Sequence, residues 1–292
     1  MIQKIRETQK THLLNMFGNV IDAQSLTKDE AQVIITHGNQ LKEDLFKTTK
    51  DFVQRALWQG NNYPKDYRRK PVERQVNILA SVFDLSTDET MKFVTERLPN
   101  IKLPRHAEGW FAIPSIEAVA KKHFPQVTGD IDQYRECIRF VCKKVKDTRV
   151  FSDYGLGYFN HHSFMERPKS LNAFGWMGGQ KGEIIIIPAQ LGMRYQGKSI
   201  NDALQAFRKE EFPLGMFEVL SILLTHPKRL GIYSGLGMTC ADNAISNDGV
   251  PKYPHFWMDS TEPSWGDRIN FQNRLNGYDT QPYYAVLSGF KF

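Results

Sequence analysis

An α+β fold, with a helical N-terminal region followed by a mixed β-sheet region carrying packed helices, is predicted by three features of this 292-residue chain. Residues 1 to about 100 show apolar residues at helical spacing behind two N-terminal capping signals. The run Ile184–Ile187 is apolar on consecutive positions and reads as a strand buried on both faces. The last 60 residues alternate short strand-like runs with turn-forming clusters. The boundary falls near residue 104, giving a helical region 1–104 and an α+β region 105–292, with one continuous domain as the alternative.

Each element has its own local reason. Thr27 with Glu30 forms a capping box, and Ile34, Leu41, Leu45, Phe52 and Ala56 give a buried face on a helix running to about Trp58. Pro71 opens a second helix, VERQVNILASVF, and Ser86 with Glu89 caps a third that stops before Pro99. WFAI is the first strand. Two helices follow, SIEAVAKKHF and IDQYRECIRFVCKKVK, the latter with Asp130 as N-cap. Residues 151–182 are loop-rich, and GGQKG reads as a hairpin turn leading into the Ile184 strand. Ser199 caps INDALQAFRKEEF, and the apolar helix MFEVLSILLTH is stopped by Pro227. HFWMD, RINFQ and YYAVLSGF are the closing strands, separated by NDG, EPSWG and LNG turns.

Composition narrows the function classes. Cys137, Cys142 and Cys240 form no CxxC pair, which suits a reducing compartment rather than a disulfide framework. No apolar run approaches the roughly 20 residues of a membrane span, and the N-terminus lacks the apolar core of a targeting peptide. A cytoplasmic protein with no membrane partner is expected. Residues 1–150 hold 25 Lys+Arg against 19 Asp+Glu, whereas residues 151–292 hold 13 of each, so the entire net charge of +6 belongs to the first half. Charge of this kind speaks to partners, here nucleic acid or an acidic protein.

Two basic segments carry that expectation. On the helix 131–146, Arg135, Arg139, Lys143 and Lys146 fall on one stripe, while Tyr134, Ile138, Val141 and Val145 fall on the far side and pack inward. The segment NNYPKDYRRKPVER sets Lys65, Arg68, Arg69, Lys70 and Arg74 against Asp66 and Glu73, with Tyr63 and Tyr67 interleaved as possible stacking partners for bases. A nucleic-acid-binding or nucleoprotein-associated factor follows, with Arg68, Arg69, Arg135, Arg139, Lys143 and Lys146 contacting phosphates.

The alternative is an enzyme whose loop-borne site gathers His161, His162, Cys240, Asp242, His255 and Asp259. Cys240 lies two residues before Asp242, and sequence selects no imidazole as its base. His255 and Asp259 share a strand face about 13 Å apart, too far to ligate one ion. Neither GxxxxGK[ST] nor GxGxxG occurs, and GGQKGE leads into a strand rather than a helix, so no metal or cofactor is expected. A third alternative is an assembly or structural protein docking on an acidic partner.

The run IIIIPAQLGMRYQGKSINDALQAFRKEEFPLGMFEVLSILLTHPKRL, residues 184–230, resembles a family of bacterial proteins with no assigned activity. RHAEGWFAIP and the final LSGF are similar to that family's other recurring segments. The resemblance implies that the chain is one unit and brings with it no catalytic residue, cofactor or fold.

Overall fold

The described residues form helices, two four-stranded sheets and one two-stranded sheet, and the class is α+β. The computed structural model describes residues 11, 15, 18–19, 26–39, 41, 63–64, 66–153, 164–165, 179–231, 235–246, 251–259, 268–275, 277–280 and 284–292. The chain divides into two units, Met1–Gln54 and Arg55–Phe292.

The first unit contains α1 (Lys28–Thr36). Its capping box forms as expected: the Thr27 N–H donates to Glu30 Oε2 at 2.8 Å, and the Glu30 N–H to Thr27 Oγ1 at 3.3 Å. The expected buried face does not form over the described part. Val33 and Ile35 are 59% and 71% exposed, and Ile34 and Leu41 are also exposed. Leu45, Phe52 and Ala56 lie outside the described residues.

The second unit opens with α2 (Val72–Phe83) and α3 (Asp88–Lys92), the latter passing into a π-helical turn at Phe93–Arg97. Ser86 and Glu89 do not form a capping box. The Ser86 N–H is taken at 2.6 Å by Glu183, which reaches it from the approach to the central strand, and Thr87 holds the N-cap position. Strand β1 (Gly109–Pro114) follows, then α4 (Ile116–His123) and α5 (Asp130–Lys146). Gly129 rather than Asp130 is the N-cap of α5, and the helix buries Tyr134, Cys137, Ile138, Val141, Cys142 and Val145 on the face the sequence predicts.

After β2 (Phe151–Asp153) and β3 (Phe164–Met165) comes β4 (Ile184–Gln190), buried at every residue. Gly178 of the expected GGQKG turn lies outside the described residues. Strand β4 pairs antiparallel with β1 on one side and β10 (Ser288–Phe290) on the other, while β3 pairs with β7 (Ile245–Ser246). The helix expected over 200–212 is shorter, α6 (Ile200–Gln205), and Glu211–Pro213 becomes β5. Sheet pairing overrides helical spacing there, because β5 completes the edge of β10.

Helix α7 (Met216–Thr225) is buried nearly all round and leads through a 3₁₀ turn, Pro227–Leu230, to β6 (Met238–Thr239). Strands β8 (Tyr253–Asp259) and β9 (Arg268–Leu275) close the order. The first sheet runs β1-β4-β10-β5. The second runs β2-β9-β8-β6 and is mixed, since β2 is parallel to β9.

One core joins these layers. Val76, Leu79 and Phe83 of α2 share it with Phe111 of β1, Ile184–Ile187 of β4, Phe217 of α7 and Phe256 and Phe271 of the second sheet. The sequence boundary at 104 thus falls inside this unit.

Candidate anion-binding cleft

Residues 63–64 and 66–71 are held against the first sheet by a buried polar network. Tyr63 donates its hydroxyl to Glu108 Oε1 at 2.7 Å, and that oxygen also accepts the Leu191 N–H at 2.9 Å. Arg229, fully buried, lies over the Tyr63 ring 4.1 Å from its centroid and donates to the carbonyls of Leu236 and Leu191. Its guanidinium thus fastens the 3₁₀ turn after α7 to the end of β4. A buried cation is tolerated in such a place because carbonyl dipoles, an aromatic face and a nearby carboxylate surround it.

His226 provides the second anchor. The Lys70 N–H donates to its Nε2 at 3.0 Å, so the ring proton sits on Nδ1 and is given to Thr225 Oγ1 at 2.8 Å. Burial, with Lys70 as the next cause, pushes the imidazole down to about 4, which keeps it neutral and able to accept. Gln75, also buried, ties the same segment to β1: it donates to the carbonyls of Lys70 and Trp110 and accepts the Ala112 N–H at 3.0 Å. Pro71 meanwhile starts α2 without needing a hydrogen bond of its own.

Between this anchored segment and the turn after α7 lies a cleft of about 330 Å³. Arg68, Arg69, Lys70, Arg74 and Lys228 line it, with Asp66 as its one acidic group. Asp66 is paired with Lys228 at 2.6 Å, and both side chains are more than half exposed, so solvent screens the pair. Lys228 holds the Asp66 carboxyl below its ordinary range. The Lys70 ammonium is pushed down by burial and then by Arg74, as expected where cations crowd without enough counter-charge. Arg69 lies directly on Gly109, where a Cβ would meet its Cδ at 2.8 Å, so the glycine makes room for the side chain.

Of the residues expected from sequence to contact phosphate, Arg68 and Arg69 line this cleft and the four on α5 do not. Arg135 pairs with Asp132 at 3.0 Å and Arg139 with Glu136, each one turn earlier on the same helix. Lys146 lies over the Phe151 ring at 5.6 Å, and Lys143 is exposed. Half of that basic stripe is therefore neutralised within the helix. Tyr63 and Tyr67 turn inward: their rings meet edge to face at 5.4 Å, and Tyr67 packs on His226. Arg229 covers the Tyr63 ring, and Tyr67, though it lines the cleft, is buried against His226.

The residues of the loop-borne enzyme site do not assemble among the described residues. Cys240 is fully buried, and burial, with Glu218 as the next cause, pushes its thiol well above its ordinary range, the opposite of an activated nucleophile. Asp242 is buried near it, and among the described residues no imidazole is recorded against the thiol. His255 is a core residue: Thr239 Oγ1 lies 2.9 Å from its Nδ1, Trp257 stacks on it, and burial holds it down to about 3. Asp259 ends β8 with its side chain outside the described residues, and His161 and His162 lie outside them entirely. Among the described residues no group of three or more His, Cys, Asp or Glu is placed to hold a metal ion, and no helix is long and apolar enough to cross a membrane.

His226, Arg229, Glu108 and Lys228 were not legible as site residues. Only the sequence HPKR after an apolar helix points to the turn that carries His226, Lys228 and Arg229. Comparison with protein-family models, curated proteins and solved structures finds no match to this chain.

Proposed function

We propose that this protein binds nucleic acid through phosphate contacts in the cleft formed by residues 66–74 and 226–228. The observation that carries the reading is the convergence of five cationic side chains from two segments about 160 positions apart, against one paired carboxylate. Bringing like charges together opposes folding, and a polyanion relieves that repulsion while releasing its own counterions. The anchoring by His226, Gln75 and Arg229 supports a preorganised surface, since the backbone of the segment is fixed before any ligand arrives. With Tyr63 and Tyr67 turned inward, contact is to the backbone, and binding depends little on base sequence.

Fluorescence anisotropy with labelled single-stranded DNA, duplex DNA and RNA at two salt concentrations tests this. Binding that weakens steeply with salt is expected. Arg69→Ala with Arg74→Ala should lower affinity equally for unrelated sequences and reduce the salt slope by roughly 1 per cation removed. Arg139→Glu with Lys143→Glu on α5 should leave both unchanged. No binding at low salt, or an Arg69/Arg74 variant that binds like the wild type, overturns the reading.

A further inference from the structure

The one acid of the cleft bridges its two walls. Asp66 belongs to the segment anchored by His226 and Gln75, and Lys228 to the 3₁₀ turn Pro227–Leu230, so their 2.6 Å ion pair spans the cleft. The pair is not what holds the walls in place. Lys70 already donates its N–H to His226, and Arg229 joins the turn to the end of β4 from within. Arg149 fastens the same turn from the other side, donating to the carbonyls of Pro227 and Leu230 at 2.8 Å each. The Asp66 and Lys228 side chains are 61% and 65% exposed, and an ion pair so screened adds little to stability.

What the pair does change is the charge offered to a ligand. Arg69, Lys70 and Arg74 line the same cleft, and among the described residues no carboxylate pairs with them. Asp66 is thus a single anion among cations, holding the ammonium group that a phosphate oxygen would seek. Lys228 could reach both acceptors at once only if two anions were brought side by side, which their repulsion opposes.

We propose that Asp66 is an internal competitor for the ligand: it occupies Lys228 in the free protein, and binding transfers Lys228 from the carboxylate to a phosphate of the nucleic acid. This rests on the function proposed above. The transfer makes Lys228 a contact residue of the complex and makes Asp66 a brake on affinity. In the free protein the same carboxylate lessens repulsion among the five cations, so its removal trades stability for tighter binding.

A double-mutant cycle on Asp66 and Lys228, read by fluorescence anisotropy with labelled oligo-dT at low salt, tests the transfer. Asp66→Asn should tighten binding about fivefold, the upper range for releasing an exposed pair. Glu73→Gln removes the same charge from an exposed position outside the cleft lining, and should change affinity by less than about twofold. Lys228→Ala should weaken the wild type only slightly, because the lost phosphate contact is offset by the carboxylate contact that no longer has to be broken. In the Asp66→Asn background its effect should be about fivefold larger. Circular dichroism verifies that each variant is folded.

If Lys228 only screens Asp66, the order reverses: Lys228→Ala weakens the wild type by uncovering the carboxylate and has no effect in the Asp66→Asn background. That reversal, equal effects in both backgrounds, or an Asp66→Asn affinity no higher than that of Glu73→Gln overturns the transfer while the cleft stands. If neither the wild type nor Asp66→Asn binds, both claims fall.

Discussion

His226 is the residue on which the cleft turns, because it must be neutral to accept the Lys70 N–H. Its pKa of about 4, and that of His255 at about 3, lie below the roughly 6.5 of an unfolded histidine. As pH falls, the unfolded chain takes up these protons first. Their contribution to stability is therefore complete above about pH 6.5 and is lost as pH falls from there through 4 and 3. Urea midpoints measured between pH 7 and 4.5 should fall for this reason, in a range where most carboxylates remain ionised. His226→Gln keeps an acceptor near Lys70 without a titrating group, and should show a shallower fall. An unchanged slope would mean that His226 does not titrate with folding. Arg229 has the complementary role. It carries its charge into the core to join two backbone carbonyls and stack on Tyr63, a use of arginine that its chain neighbours Lys228 and Leu230 do not announce.

At the scale of elements, periodicity was a good guide wherever one face meets the core. Helix α5 buries the face its spacing predicts, and β4 is buried throughout as its isoleucine run requires. Local pattern misleads where a partner distant in sequence decides the outcome. Glu211–Pro213 continues a helical pattern but joins β10, and Ser86 is capped by Glu183 from 97 positions away. On α5 the spacing predicts a basic stripe of Arg135, Arg139, Lys143 and Lys146. Its pairing with Asp132 and Glu136, at i−3, removes half of its field, and those acids were visible at that spacing too. The turn after β4 offers a test of element geometry. Gly192 has φ 120°, donates its N–H to Gln190 at 2.7 Å, and would place a Cβ 2.5 Å from the Ala285 Cβ. Gly192→Ala should cost about 2 kcal/mol or more, combining backbone strain with overpacking, read as a lower urea midpoint at constant m-value. A change under about 0.5 kcal/mol would show that the turn relaxes freely.

For the whole molecule, charge and structure divide differently. Residues 1–54 hold seven basic and seven acidic residues, so the excess of six positive charges belongs to 55–150, in the unit that contains the cleft. A ligand that binds the folded state alone stabilises it by mass action. At a hundredfold excess over Kd the gain is about 2.7 kcal/mol. Single-stranded DNA should accordingly raise the thermal midpoint at low salt, and the rise should vanish at high salt and in the Arg69→Ala/Arg74→Ala variant. A salt-independent rise would point to contacts other than phosphate.

The sequence by itself determined the α+β class, the inward face of α5, the buried central strand and the basic half of the chain. Each depends on residue spacing or composition within one segment. Only the tertiary structure decided which cations act together. It joined 66–74 to 226–228 and to the end of β1, turned Tyr63 and Tyr67 inward, and buried Cys240 and His255 in the core. These outcomes depend on contacts between residues up to about 160 positions apart, where burial and field at a side chain are set by neighbours that local pattern does not record.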